Sequence, residues 1–235
     1  MTQLVLPIGG DPSFAAADFI ADASNQEALR WLATPSSWPD GRLVLAGPAG
    51  TGKTHLLHAT AQALGWTLLR GPDQRGLPEM PRTGVALDDA DFPGEETALL
   101  HLMNACAEAK LSLLMAAPSA PSRWRVQLAD LRSRLAATAV AQLDEPSDAL
   151  LDALLAKHLA DRQMQLDPGL LTILRLRLPR RAAVMEEAVA RLDRASLIAG
   201  RKLSRAAALA VVTPLLDEAS ETSASEPVPL SPALL

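Results

Sequence analysis

At 235 residues the chain can bury a substantial core, and its length allows one large domain or two small ones. A formal net charge of −5 argues against a protein whose main task is gripping duplex DNA, and the scarcity of aromatics, with no Tyr, leaves few platforms for stacking unpaired bases. No apolar run nears the ~18 residues of a membrane span, no basic segment precedes an apolar one at the N-terminus, and Cys106 is the single cysteine, so a soluble cytoplasmic protein without membrane contact is expected.

The first feature along the chain is QLVLP, Gln3 to Pro7, three large aliphatics and a proline beside the amino terminus. Terminal residues fray unless something ties them down. On its residues alone this stretch is either an edge strand or a peptide kept loose for another protein.

Five apolar runs follow as predicted strands: Arg42–Ala46, Trp66–Leu69, Thr83–Leu87, Leu111–Met115 and Thr138–Leu143. Their apolarity is near-continuous rather than alternating, as parallel strands buried on both faces require. Helical patterns at Thr54–Leu64, Gly94–Ala109 and roughly Pro121–Leu135 separate them, and Gly71–Arg82 reads as a loop. Strands alternating with helices predict a doubly wound α/β sheet. Cys106 falls on a helix and reads as a small buried apolar residue.

The strand signal ends at Glu145-Pro146. Beyond it, Ser147 caps a helix running to about Arg162, and Asp167-Pro168 pairs an N-cap with proline at the first helical position. A third helix runs from Pro179 to near Gly200, and Ser204 starts a fourth. Residues 146–213 hold 11 Lys/Arg against 7 Asp/Glu, a mild positive balance that suits a solvated helical face. The expected organisation is a loose peptide over 1–12, an α/β base over 13–145, a helical lid over 146–213 and an unordered tail over 214–235. The tail, with its Ser, Pro and Glu, cannot bury enough surface to order itself.

GPAGTGKT, Gly47 to Thr54, follows the first strand and opens a helix. The spacing is that of the phosphate-binding loop, in which glycines let backbone N–H groups converge on phosphates at a helix N-terminus. Pro48, Ala49, Gly50, Thr51, Gly52 and His55 belong to this cradle; Lys53 would reach the β/γ-phosphates and Thr54 would hold Mg²⁺. VALDDAD carries Asp88 and Asp89 at the end of the third strand, where a second Mg²⁺ contact (Asp88) and a residue orienting the attacking water (Asp89) are expected. Asp91 reads as surface.

This layout resembles an AAA+ ATPase, a nucleotide-binding α/β base followed by a helical lid, over about 200 residues. That family places nucleotide between neighbouring subunits, which allows a homodimer. FIADASNQEAL, from Phe19, is similar to the segment that covers the adenine in the bacterial initiator DnaA, implying roles for Phe19, Ile20 and Asn25. RSRL, Arg132 to Leu135, resembles the DnaA motif whose arginine serves as a finger toward a neighbour's nucleotide, which implies Arg134, with Arg132 the alternative. LPRRAAVMEEAVARLDRAS resembles the lid segment whose early arginine senses the phosphates, implying Arg180, with Arg181 the fallback. An Asn before a helix also serves as a cap, and such arginines also occur as solvated helix charges.

DnaA continues beyond its lid into a helix-turn-helix domain, for which the 22 residues after Thr213 leave no room. The chain therefore resembles the Hda-type regulators, DnaA homologues that lack the DNA-binding domain. Those begin with a short peptide that binds the β sliding clamp of DNA polymerase III, and QLVLP matches it in position and pattern. The resemblance implies clamp docking through Gln3, Leu4, Leu6 and Pro7, DnaA as partner, DNA contact only through the clamp, and ADP (or ATP) with Mg²⁺ as ligand. Ala116-Ala117 departs from the polar residues that sense the γ-phosphate in DnaA relatives, so weak hydrolysis by the protein itself is expected. The competing reading is an autonomous AAA+ ATPase acting as a helicase loader or similar replication motor.

Overall fold

The five apolar runs become five parallel strands: β1 (Arg42–Ala46), β2 (Thr67–Arg70), β3 (Val85–Asp88), β4 (Leu113–Ala117) and β5 (Ala139–Gln142). This computed structural model describes residues 20–77, 81–200 and 202–223, so Gln3, Leu4, Leu6, Pro7 and Phe19 lie outside the described residues. The sheet order is β2-β3-β4-β1-β5, which puts β1 and β4 at its centre. Every residue of those two strands is buried, whereas edge strand β2 is mostly exposed.

Parallel pairing demands crossovers, and the helices between strands supply them on both faces. Because side chains alternate along a strand, Val44 and Ala46 face one layer, with α3 (Glu96–Glu108) and α4 (Ala129–Ala136), while Leu43 and Leu45 face the other. That second layer holds Ala28 of α1 (Gln26–Leu32) and Leu56, Leu57 and Ala61 of α2 (Lys53–Leu64). Trp38 closes it, its ring edge-on to Trp66 at 5.8 Å between centroids. Cys106 is buried on α3, as expected for an apolar stand-in.

A first compact unit ends at Leu150 and a second begins at Leu151, inside α5 (Asp148–Asp161). The second unit continues with α6 (Pro168–Arg177), α7 (Ala182–Ala199) and α8 (Arg205–Ser223), packed around Leu155, Leu174, Val189, Leu192 and Val212. The helix caps follow the sequence. Asp167 accepts from the N–H groups of Gly169 (3.0 Å) and Leu170 (3.2 Å), the Leu150 N–H reaches Ser147 Oγ at 3.1 Å, and Gly200 ends α7 at φ +62°. Among the described residues no helix is long and apolar enough to cross a membrane.

Three elements differ from expectation. The helix predicted over 121–135 is a 3-10 turn at Pro121–Arg123 and then only α4. The intervening backbone bonds elsewhere: Glu96 accepts from the N–H groups of Gln127 and Leu128, and Arg132 donates to the carbonyls of Val126 and Gln127. The short helix α1 was not among the predicted elements. At the other end, α8 continues past Thr213 to Ser223, where composition predicted an unordered tail. The extension passes through Pro214, which lacks the N–H for one intrahelical bond, and buried Leu215 and Leu216 anchor the helix beyond it, so no new helix has to be nucleated.

Candidate nucleotide site

The phosphate loop leaves the C-terminal end of β1 and turns into α2, the position at which open parallel sheets bind ligands. Gly50 (φ +83°) and Gly52 (φ +91°) take backbone conformations that other residues adopt only with strain. At Gly47 a Cβ would come within 2.3 Å of the Leu143 carbonyl oxygen, so only glycine lets the loop start this close to the end of β5. Thr51 Oγ1 donates to the Pro48 carbonyl at 3.0 Å, closing the turn around Ala49.

Lys53 is half-buried, and its ammonium donates to the carbonyls of Gly47 and Pro48, both at 2.7 Å. Burial holds its pKa below the ordinary lysine value, opposed by the negative charges of Asp88 and Asp91. The loop thus presents a cation at its mouth, with glycines bent around it. Thr54 is exposed one residue further, and His55 follows in the first turn of α2. A nucleotide's phosphate chain fits this arrangement.

Across the sheet, β3 ends at Asp88, half-buried, whose Oδ1 accepts the Asp89 N–H at 3.0 Å. Asp89 has φ +52°, and its Oδ2 accepts from Arg70 Nη2 at 3.0 Å. Its carboxylate therefore points along the sheet edge to β2. Asp91, expected at the surface, is half-buried, and burial foremost raises its carboxyl pKa, with Asp89 adding and Lys53 opposing. Asp91 and Arg70 are the residues that the sequence reading missed. The only signal for Asp91 was its place as the third acid of the DDAD run.

Among the described residues no cluster of three or more His, Cys, Asp or Glu could hold a metal ion by itself. The donors here are a threonine hydroxyl and carboxylates, all hard oxygens, which fits a Mg²⁺ completed by phosphate oxygens and water. Ala116 and Ala117, at the end of β4 and paired with Leu45 and Ala46, are buried and bring no polar side chain.

The segment before α1 is built as a strut. Asn25, fully buried, donates from Nδ2 to the Ile20 carbonyl and accepts the Asp22 N–H, both at 3.0 Å. It occupies the N-cap position of α1, yet its side chain makes no capping bond. Asp22 in turn accepts from Ser24 Oγ (2.7 Å) and Ser147 Oγ (2.8 Å), bonds that hold its carboxyl below the usual range. Ile20 is thereby fixed, half-buried, in the same unit as the phosphate loop.

The arginines separate. Arg132 is spent on the Val126 and Gln127 carbonyls, while Arg134 makes one exposed i,i+4 pair with Asp130 at 3.2 Å. Arg134 lines a cleft together with Arg42, the first residue of β1, whereas the phosphate loop follows the last. In the second unit, Arg180 is exposed two residues before α7, and Arg181 is that helix's N-cap residue.

No protein-family model matches the chain, and no curated protein matches it in sequence. Solved structures match in shape. Domain III of the Thermotoga maritima replication initiation protein DnaA superposes with a TM-score of 0.73 at 16% identity, covering 88% of this chain and 98% of that one. The chain has the DnaA-type AAA+ fold. AMPPCP-bound DnaA from Aquifex aeolicus matches at TM-score 0.61 and 15% identity, over 81% of this chain and 68% of that one. A point mutant of Thermotoga maritima RuvB matches at TM-score 0.62 and 16% identity, over 86% and 72%.

Proposed function

We propose that this protein binds ADP or ATP with Mg²⁺, docks on the β sliding clamp, and switches off replication initiation by stimulating ATP hydrolysis on DnaA. The observation that carries the reading is a separation along one strand. The phosphate loop follows the last residue of β1, while Arg134 shares a cleft with the first. An arginine so far from its own chain's phosphates suits a nucleotide held by a neighbour.

In this reading Gln3, Leu4, Leu6 and Pro7 hold the clamp, and an extended peptide of that kind buries alternate side chains in apolar pockets. The base packs beside DnaA and presents Arg134 to its ATP. A guanidinium supplied in trans stabilises the charge of phosphoryl transfer, worth ~10³–10⁵ in rate where such fingers operate. The engagement of Arg132 with loop carbonyls supports Arg134 as the finger.

The protein's own nucleotide serves as a ligand rather than a fuel. Pro48 to His55 cradle its phosphates, Lys53 and Thr54 meet the phosphate chain and the metal, Asp88 completes the metal's oxygen set, and Ile20 and Asn25, with Phe19, form the adenine side. Arg180 carries the sensor role that the resemblance of its segment implies. The apolar Ala116-Ala117 and the turned carboxylate of Asp89 both support weak hydrolysis. Asp88 and Asp89 allow the alternative of an autonomous motor, which brisk ATP turnover by the isolated chain would favour.

The test is a DnaA ATPase assay with clamp loaded on DNA. Wild type should accelerate hydrolysis, and the Gln3→Ala, Leu4→Ala, Leu6→Ala triple variant should lose clamp binding and stimulation while keeping nucleotide. No stimulation by wild type, or unfolding of the triple variant, defeats the reading.

A further inference from the structure

The N-terminal ends of β1 and β4 frame a cleft of about 630 Å³, within the ~300–1,000 Å³ of small-molecule sites. Three cations line it, Arg42, Lys110 and Arg134, together with Asp40 and Ser112. None of these residues belongs to the phosphate loop.

Arg42 is the unusual member. Its side chain is only 7% exposed, Nη2 donates to Asp40 Oδ2 at 2.7 Å, and Nε is buried with no hydrogen-bond partner among the described residues. Buried donors are nearly always satisfied, so an orphaned guanidinium nitrogen beside a cleft calls for an acceptor. Lys110 stands exposed just past α3, at φ +54°, and makes no ion pair among the described residues. Among the described residues the Arg134 side chain is held only by its exposed pair with Asp130. Asp40 and Asp130 are the opposing charges, one on each arginine, and a phosphate oxygen would share or replace these carboxylates. Two planar guanidinium forks, an ammonium and the Ser112 hydroxyl offer more donors than Asp40, the carboxylate lining the same cleft, can take up, a surplus that phosphate oxygens select.

We propose that this cleft is a second phosphate site, which takes the phosphate chain of a nucleotide or of a pyrophosphate-like anion at the opposite end of β1 from the phosphate loop. It adds Arg42, Lys110 and Ser112 to Arg134. The chain therefore grips phosphate at both ends of its central strand.

The test titrates inorganic pyrophosphate into the full chain carrying Lys53→Ala, which disables the first site, with Lys53→Met as a second background that keeps the methylene stem packed. One saturable site is expected. Lys110→Asn, which tolerates the left-handed backbone, and Arg134→Gln should each weaken it roughly tenfold or more. Arg42→Lys keeps the charge and removes the fork, and should weaken it similarly. If free pyrophosphate does not bind, but the Lys53→Ala chain associates with ATP-loaded wild-type chain and Lys110→Asn abolishes this, the anion is one presented by a neighbouring copy and the site stands. Binding that the cleft substitutions leave unchanged, or neither binding nor association, overturns the proposal. Neither DnaA nor the clamp enters the measurement, so its failure leaves the regulatory reading intact.

Discussion

Arg70 Nη2 donates to Asp89 Oδ2 at 3.0 Å, tying the end of β2 to the residue after β3. The contact follows from sheet order: β2 pairs with β3 in a register that places Arg70 opposite Asp88. It occupies the carboxylate proposed to orient water at the phosphate loop.

Removing this restraint gives the first prediction. Both side chains are more than half exposed, so solvent screens the pair and the fold should not depend on it. Arg70→Ala should leave the melting temperature nearly unchanged and raise any ATP turnover by the isolated chain, by no more than about fivefold. Phosphate release measured without DnaA checks this. Unchanged turnover would mean that Asp89 is not held back by Arg70.

The second prediction concerns the phosphate loop. A ligand bound only by the native state stabilises it, by about 2.7 kcal/mol at a hundred times its dissociation constant. ADP with Mg²⁺ should therefore raise the melting temperature of wild type, and Lys53→Ala should abolish the shift. The substitution removes the ammonium that bridges Gly47 and Pro48, so the ligand-free protein should also melt somewhat lower. An undiminished ADP shift in Lys53→Ala would place the nucleotide elsewhere.

Cys106 provides a third. Burial on α3 pushes its thiol up to about 11, against an ordinary value near 8.5. At pH 8 the native thiolate should be scarce, and iodoacetamide should label the folded protein roughly a hundredfold more slowly than the protein in urea. The sign for stability follows. The folded state holds the proton more tightly, so this contribution is complete below about pH 8.5 and is lost as pH rises toward 11. Rapid labelling of the native protein would contradict the burial of α3 against the sheet.

What was legible in the sequence was whatever rests on local pattern. RLVLA reads as a buried parallel strand because Leu43, Val44, Leu45 and Ala46 meet apolar layers on both faces, and its bounds match β1. The phosphate loop and the Asp167 cap are short-range geometry, readable from spacing. The missed features rest on contacts distant in sequence. Glu96 meets Gln127 and Leu128 across 31 and 32 residues and dissolves half of a predicted helix. The cleft joins Arg42 to Lys110 and Arg134 only because β4 and β5 flank β1, an order no single strand encodes.

The last prediction concerns Arg134. Its side chain is 38% exposed and held by one exposed carboxylate, Asp130 at 3.2 Å, so releasing it costs little. Arg134→Ala should keep the fold, the ADP-induced thermal shift and clamp binding, yet lose stimulation of DnaA's ATP hydrolysis. Arg134→Lys should largely fail as well, because a compact ammonium cannot set two parallel hydrogen bonds on phosphate oxygens. Arg132→Ala separates positioning from contact. Arg132 braces the loop ahead of α4 through Val126 and Gln127, so its loss should weaken stimulation and lower the melting temperature together. Stimulation by Arg134→Ala equal to wild type would remove Arg134 as the finger. If Arg132→Ala alone abolished stimulation without any change in melting, the role would pass to Arg132.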